Sequence, residues 1–546
     1  MSKKVFSRLL LALLLTCGLG FRAEAASLSP ILQGYWTQPS LELANGNKIA
    51  LGKLNHLHAV FTNQDPNVPS SDIWYADMQY DEVNSPGDPY VWSESQISYD
   101  GFSSEPAVAA GSDGLPVVVW VSRACATNPL GAIYYSRRTS LGCPTCWTQP
   151  KQIVALGSEP SIAIDGTTVH LAWTTGDRVQ YASFPTNAPP AMPLWMGEVV
   201  DFSNCPGTRF HQPSIAFAHP PCDTVKVKIA ALFTSNEQAS VGTCHAAATQ
   251  SGPRVYERDA STQAWSTAFQ EVTSDQASNQ PDPVAVSISL SANRITGDFF
   301  LAWSDEQNQA ARTRAGHGLG AVWDASQPID SQSHHVHVAA KSGGSRQFRL
   351  ALSGPAWSTG AHTQTGKWNG GLTWTGPALN LPGNYPLIAH PQALYWRRCA
   401  GNTLKEMTAY TEASSWNLNY PDIAIDPTTT GPVNCFLVST ADVLPLPPCF
   451  TSHIALSHRV HAGGGDEVLV DLGDTAVVTK VTATGAEITT VAGGTIQATW
   501  NPGEVLYTWE NGFAVVTQRD SVRFASRDAK FQLEDLGVLG GQTGAK

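Results

Sequence analysis

Short runs of β-branched and aromatic residues, each bounded by polar turn residues, recur along most of the chain. Six of them align with one another: HLHAVFTN from His56, PVVVWVS from Pro116, VHLAWTT from Val169, KIAALFTS from Lys228, DFFLAWSD from Asp298 and QFRLALSG from Gln347. This composition and punctuation predict β-strands. A shorter apolar strand, opening on a proline, stands before each of the clearest copies. Its segments are Thr37–Leu41, Ser104–Val108, Ser158–Ile162 and His211–Ile215. Weaker copies are Pro281–Ala285, Ser333–His337 without the proline, Asn384–Ile388 and Asn419–Ile423. A third strand follows, as in DIWYADM, AIYYSRR and RVQYASF, and then a fourth marked by Trp92, Trp147, Trp195 or Trp265.

The repeating unit is therefore a four-stranded antiparallel sheet of about 50–70 residues. Such a sheet has two edges and two faces, and it cannot bury both faces alone. Radial stacking solves this by sandwiching the apolar second strands between neighbouring units, which predicts an all-β fold, a β-propeller. Seven blades account best for residues 30–463, with eight as the alternative count. The tryptophans of the outer strands are then packing residues between blades. Residues 465–535 carry further β-pattern (DEVLVDLG, TIQATW, EVLYTWENG) and complete the last blade or form a small β-domain. Residues 536–546 read as a tail.

The chain opens MSKKVFSRLLLALLLTCGLGFRAEAA. Lys3, Lys4 and Arg8, the aliphatic run Leu9–Leu15 and the small-x-small site Ala23-Glu24-Ala25 have the layout of a cleaved signal peptide over 1–25. The apolar run is too short to cross a bilayer. The expected address is secreted or periplasmic, with no transmembrane segment. Charged residues make up 14% of the chain, the formal net charge is −12, and there are 46 glycines and 36 prolines. That balance suits a turn-rich β-protein and excludes a nucleic-acid partner. Of the ten cysteines, nine follow the leader. An exported chain can hold disulfides, and Cys205–Cys222 and Cys435–Cys449 are expected because each pair closes a short segment. Cys143-Pro-Thr-Cys146 sits beside a hairpin pattern and reads as structural; a redox pair would be expected at a helix start.

Several features together resemble the sialidase-like, Asp-box type β-propeller superfamily. They are the x-x-Pro-x-Ile-Ala opening, the Val-x-x-x-Trp second strand, the Ile-x-Tyr third strand and the tryptophan after it. SEPSIAIDGTTVHLAW over 158–173 followed by RVQYASF over 178–184 is the clearest stretch. The resemblance is architectural and covers roughly 37–463. An intact Ser-x-Asp-x-Gly-x-Thr-Trp box is missing; its nearest relatives are Arg258–Trp265 and Gly370–Trp374. The three arginines, Tyr/Glu pair and acid/base Asp of a sialidase have no recognisable counterparts.

In the repeat alignment, the residues just before the innermost strand fall at one phase and should ring one mouth of the channel. They are Gln38, Glu105, Glu159, Gln212, Asp282, His334 and Tyr420, with His211 and His335 beside them. Glu105, Glu159, Asp282, His211 and His334 are the candidates for general acid/base work. Gln38, Gln212 and Tyr420 are the candidates for ligand binding. The competing reading is that each acid caps turn amides of the next blade. His56/His58 and His335/His337 are i,i+2 pairs that project from one strand face, the spacing at which two imidazoles share a metal. No cofactor is otherwise indicated beyond a structural divalent cation. Asp72 and Asp77 flank a strand and read as turn and blade-edge residues. P-loop, HExxH and nucleophile-elbow motifs are absent. Two functions remain: an exported propeller that binds an extracellular glycan or protein at a channel mouth, or a carbohydrate-active hydrolase or lyase working there.

Overall fold

A computed structural model describes most side chains of residues 45–374, with its longest breaks at 79–92, 234–251, 272–286 and 353–363, and the backbone of strands within 27–30 and 379–538. The described elements are all β-strands, arranged as a β-propeller. The first blade orders Ile49–Leu51, His56–Gln64, Ser71–Gln79 and Trp92–Gln96 from inside to outside. The second begins Ser103–Ala110, Pro116–Ser122 and Gly131–Arg137. Its outer strand is the first half of one long strand, Lys151–Asp165, whose second half is the innermost strand of the third blade. Thr168–Thr174, Arg178–Pro185 and Glu198–Phe202 complete that third blade. The fourth to sixth blades start at Arg209–Ala218, Val284–Ala292 and His335–Ala340.

The seventh blade joins the two ends of the ring. Gln392–Ala400, Thr403–Ala413 and Pro421–Pro432 supply three strands, and Ser27–Pro30 pairs with the last of them as the outermost strand. Gln392–Ala400 packs between the innermost strands of the sixth and first blades, which closes the circle. Beyond it, strands from Asn434–Phe436 to Thr495–Thr499 form a six-stranded sheet, and Val505–Trp509 to Glu534–Val538 a four-stranded one.

Three parts of the repeat alignment are corrected here. The strand paired with His56–Gln64 is Ile49–Leu51, led by Asn45–Lys48, and not Thr37–Leu41. The Asn419–Ile423 copy leads into a third strand, Pro421–Pro432, and the innermost strand of that blade is Gln392–Ala400, not Asn384–Ile388. A proline before an apolar run marks the start of a strand whose first N–H needs no partner, and that condition is not peculiar to the innermost position. Trp147 lies in an isolated bridge to Arg138, just before the outer strand and not within it.

Burial follows the predicted sandwich. Val108, Val118 and Trp120 of the second blade pack with Val60, Ile73 and Tyr75 of the first. The other face of the second blade, with Val119, Val121 and Ile133, packs on Ile162, Leu171 and Trp173 of the third. Similar apolar clusters fill the next three seams. Trp120, Trp173 and Trp303 hold equivalent positions near the ends of second strands and are fully buried. Two of the four predicted tryptophans are described and pack between blades: Trp147, just ahead of the outer strand, meets Tyr75 edge-on at 4.7 Å, and Trp265 meets Tyr181 at 5.1 Å. The Arg258–Trp265 segment forms the hairpin turn of the fourth blade. There Asp259 accepts the Ser261 and Thr262 N–H groups at 2.9 and 2.7 Å, and Gln263 has a left-handed φ of 61°.

Because these tryptophans fill the seams, Trp173→Ala should cost about 3–5 kcal/mol in denaturant unfolding, the usual range for an emptied large-aromatic site. Trp374→Ala, on the outer strand of the sixth blade and partly exposed, should cost much less. Equal losses at both positions would contradict the seam assignment.

Candidate functional site

The mouth on which the innermost strands begin is built from the expected phase of the repeat. Glu105, Glu159 and Gln212 each sit at a bulge, where the pairing with the second strand skips. All three have left-handed backbones, with φ of 54°, 55° and 50°. A non-glycine residue pays for that conformation in steric strain, and each is followed by a proline, which itself disfavours the right-handed helical region. The strain is held by a relay. Glu105 accepts the Glu159 N–H at 2.6 Å through Oε2, and Glu159 accepts the Gln212 N–H at 2.6 Å through Oε2. Each carboxylate thus caps the equivalent bulge of the next blade.

The second oxygen of each carboxylate faces the mouth. Glu105 Oε1 pairs with the Arg123 guanidinium, which also donates to Ser104 Oγ. Glu159 Oε1 lies 3.8 Å from His211 Nδ1, with the side chains 17% and 35% exposed. Beside them, the turn that enters the second blade is shaped by two aspartates. Asp72 accepts from Ser98 Oγ and the Gly101 N–H, and Asp100 accepts from the Phe102 N–H and Ser103 Oγ. This turn lifts Tyr99 and Phe102 into solvent, 76% and 45% exposed. The Phe102 carbonyl accepts the Arg123 N–H, so the aromatic step adjoins the Glu105–Arg123 pair.

The channel behind this mouth is occupied by the chain itself. Asn45 donates through Nδ2 to the carbonyls of Glu159 and Pro213, both at 2.9 Å, and its own carbonyl accepts from Ser161 Oγ. It thereby reaches the third and fourth blades from the lead-in to the first. Gly46 lies so close to Ala107 and the Pro160 carbonyl that a Cβ there would stand 2.9 Å from each. Asn47 accepts the Val108 N–H and bonds to His337 Nε2 at 3.2 Å. Lys48 is buried and donates to the Pro106 carbonyl.

Among the sequence candidates, Glu105, Glu159, Gln212 and His211 are brought together at this mouth. Asp282 and His334 lie outside the described residues, immediately before the innermost strands of the fifth and sixth blades. Gln38 and Tyr420 also lie outside them, and the register changes above remove the alignment that put these two in the ring. His58 is buried in the seam of the first and second blades, where Nδ1 bonds to Tyr75 OH at 2.7 Å and approaches Asp77 at 3.3 Å. The side chain of His56 lies outside the described residues. His335 and His337 are both buried in the innermost strand of the sixth blade. No group of three metal-capable side chains forms among the described residues. Asp77 is not an edge residue: it is buried and pairs with Arg138 at 2.7 Å, a contact between blades that only the fold brings together. Two His–Tyr contacts among the described residues, His58–Tyr75 and His170–Tyr181, are both walled into seams. Of the expected disulfides, Cys205, Cys222 and Cys449 lie outside the described residues, and so does the side chain of Cys435.

No family model matches this chain, and no curated protein matches it in sequence. Among solved structures, the polysaccharide lyase Uly1 superposes with a TM-score of 0.38 at 10% identity, over 72% of this chain and 92% of that one. A Penicillium chrysogenum α-L-arabinanase complexed with arabinobiose gives 0.37 at 11%, over 74% and 97%. A neuraminidase-like protein of A/flat-faced bat/Peru gives 0.34 at 11%, over 72% and 98%.

Two outcomes follow from this geometry. Glu105→Ala should destabilise the fold by about 1–3 kcal/mol, because the Glu159 N–H loses its acceptor. Glu105→Gln, which keeps an acceptor oxygen, should cost less; equal costs would remove the relay from the argument. The second concerns acid. Burial lowers the pKa of His170 to about 4 and, with Lys48 nearby, that of His337 to about 3. Below pH 6.5 the unfolded imidazoles take up protons that the folded ones refuse, so stability falls as pH drops from 6.5 toward 4. His337→Gln should flatten that decline by up to about 1.4 kcal/mol per pH unit, read from denaturant midpoints across the range.

Proposed function

We propose that this chain is an exported propeller, of the sialidase-like superfamily that its strand motifs resemble, which binds a glycan on the mouth of its second to fourth blades. The observation that carries this reading is the juxtaposition of an exposed aromatic step with a polar strip. Phe102, whose carbonyl accepts the Arg123 N–H, adjoins the Glu105–Arg123 pair, Tyr99 is exposed on the same turn, and Glu159 with His211 continues the strip. Sugar rings present an apolar face that stacks on aromatics and hydroxyls that bond to fixed carboxylates and guanidinium groups. Binding is favoured over catalysis because Glu105 and Glu159 each commit one oxygen to a neighbouring backbone N–H, so moving either acid disturbs two blades. No helix among the described residues is long and apolar enough to cross a membrane.

A second reading, a hydrolase or lyase at the same mouth, rests on the partly exposed Glu159–His211 pair, an acid–imidazole contact among the described residues there. A glycan array and a panel of polysaccharide depolymerisation assays on the chain from residue 26 onward separate the two. Tyr99→Ala with Phe102→Ala should lower glycan affinity at least tenfold without loss of fold. Glycan binding unaffected by that change, or by Arg123→Ala, would reject the mouth as the site. Depolymerisation abolished by His211→Ala, with glycan affinity retained, would establish the catalytic reading instead.

A further inference from the structure

The Cys143-Pro-Thr-Cys146 segment forms a disulfide, and its position gives it a role that the glycan-binding mouth does not touch. The bridge closes the turn after the third strand of the second blade. Within that turn the Thr139 N–H donates to the Cys146 carbonyl at 2.8 Å, and the Cys146 N–H donates to the Cys143 carbonyl at 3.2 Å. Both cysteines are partly exposed and Thr145 between them is exposed.

The two ends of the same turn reach a buried polar cluster. Arg138, fully buried, donates through Nε to the Cys143 carbonyl at 3.2 Å and through Nη1 to Tyr75 OH and Asp77 Oδ2, both at 2.7 Å. Trp147, next to Cys146, packs on the Tyr75 ring and donates its indole N–H to Ser95 Oγ at 3.2 Å. Tyr75, Asp77 and Ser95 belong to the first blade, Arg138 and Trp147 to the second. The disulfide therefore fixes the distance between the carbonyl that satisfies Arg138 and the indole that covers Tyr75.

We infer that Cys143–Cys146 is a thiol–disulfide exchange site, addressed by dithiol reductants, whose oxidised form clamps the seam between the first and second blades. A dithiol thiolate attacks one cysteine sulfur and breaks the protein S–S bond, forming a mixed disulfide. The second dithiol sulfur displaces that cysteine, so two electrons pass to the protein, two cysteine thiols remain and the reductant leaves as its own disulfide. The freed turn then no longer holds the Cys143 carbonyl against Arg138. Loss of one of the bonds that hold this buried guanidinium loosens the packing around it. A bond between cysteines three apart restricts the unfolded chain less than a long loop would, so its effect is concentrated locally at this seam.

Hydrogen exchange on the full chain tests this. Cys143→Ser with Cys146→Ser should speed exchange in Ser71–Gln79 and Gly131–Arg137 at least tenfold, leave Thr168–Thr174 and Lys226–Thr234 unchanged, and lower the thermal midpoint by several degrees. Dithiothreitol treatment of the unaltered protein should reproduce the change in the first two strands. A variant that exchanges and melts like the oxidised protein overturns the inference. Should the variant fail to fold, alkylation mapping of the dithiothreitol-treated protein decides. Modified Cys143 and Cys146 with faster exchange in both strands support the clamp. Modified cysteines with unchanged exchange, or cysteines that resist reduction in the folded chain, overturn it.

Discussion

The ring depends on how one blade's innermost strand is tied to the next. These strands are sheet edges, and each presents backbone groups that its own blade cannot pair. Side chains fill the gap. Glu105 and Glu159 cap the following bulges, Ser161 accepts the Ile215 N–H, and Ser214 accepts the Leu290 N–H. Ser287, Ser289 and Ser291 then accept the N–H groups of Val336, Val338 and Ala340. Short hydroxyls serve deep in the channel wall, and the longer carboxylates serve at the mouth, where the bulges lift the backbone away from its neighbour. The apolar seams supply most of the burial, but they are non-directional. The relay is what sets the register of one blade against the next.

This dependence shapes what the mouth can do. A carboxylate can pass a proton through one oxygen while its other oxygen is held by a hydrogen bond. Glu105 and Glu159 each hold a neighbouring backbone N–H with one oxygen and turn the other to a side chain of the mouth, Arg123 and His211 respectively. The same residues are therefore structural and surface-forming at once. The Asn45–Lys48 segment adds to the effect by filling the channel beneath them. Among the described residues, the turn organised by Asp72 and Asp100 places exposed aromatics on the rim of this mouth.

Much of the architecture was legible because it rests on period and composition. Second strands such as Val169–Trp173 announce themselves by alternation and β-branching, and four-stranded units leave few ways to bury both faces. The phase of Glu105, Glu159 and Gln212 was readable for the same reason. The first blade was misaligned because Gln38-Pro39 imitates the motif, whereas the true lead-in, Asn45-Gly46-Asn47-Lys48, reads as an ordinary turn; its polar residues gain meaning only from blades 58 to 290 positions away. Arg138 and Asp77 show the same limit. Two opposite charges 61 positions apart carry no periodic signal, and only the packing of adjacent blades makes them partners.

The seams show how such a fold can combine uniformity with difference. In the first and third blades a histidine on the second strand bonds to the tyrosine of the third strand, at 2.7 and 2.8 Å, with the rings stacked at the same 23° angle. An arginine of the next blade then lies over each tyrosine, Arg138 over Tyr75 and Arg258 over Tyr181. The acids that balance these arginines differ: Asp77 comes from the third strand of its blade and Glu198 from the fourth. Asp77 is buried, whereas Glu198 is partly exposed and can exchange its partner for water. The first seam has therefore lost the solvent escape that the third retains, and it must hold its guanidinium entirely with protein groups. That requirement accounts for the recruitment of a main-chain carbonyl from a covalently closed turn at this seam.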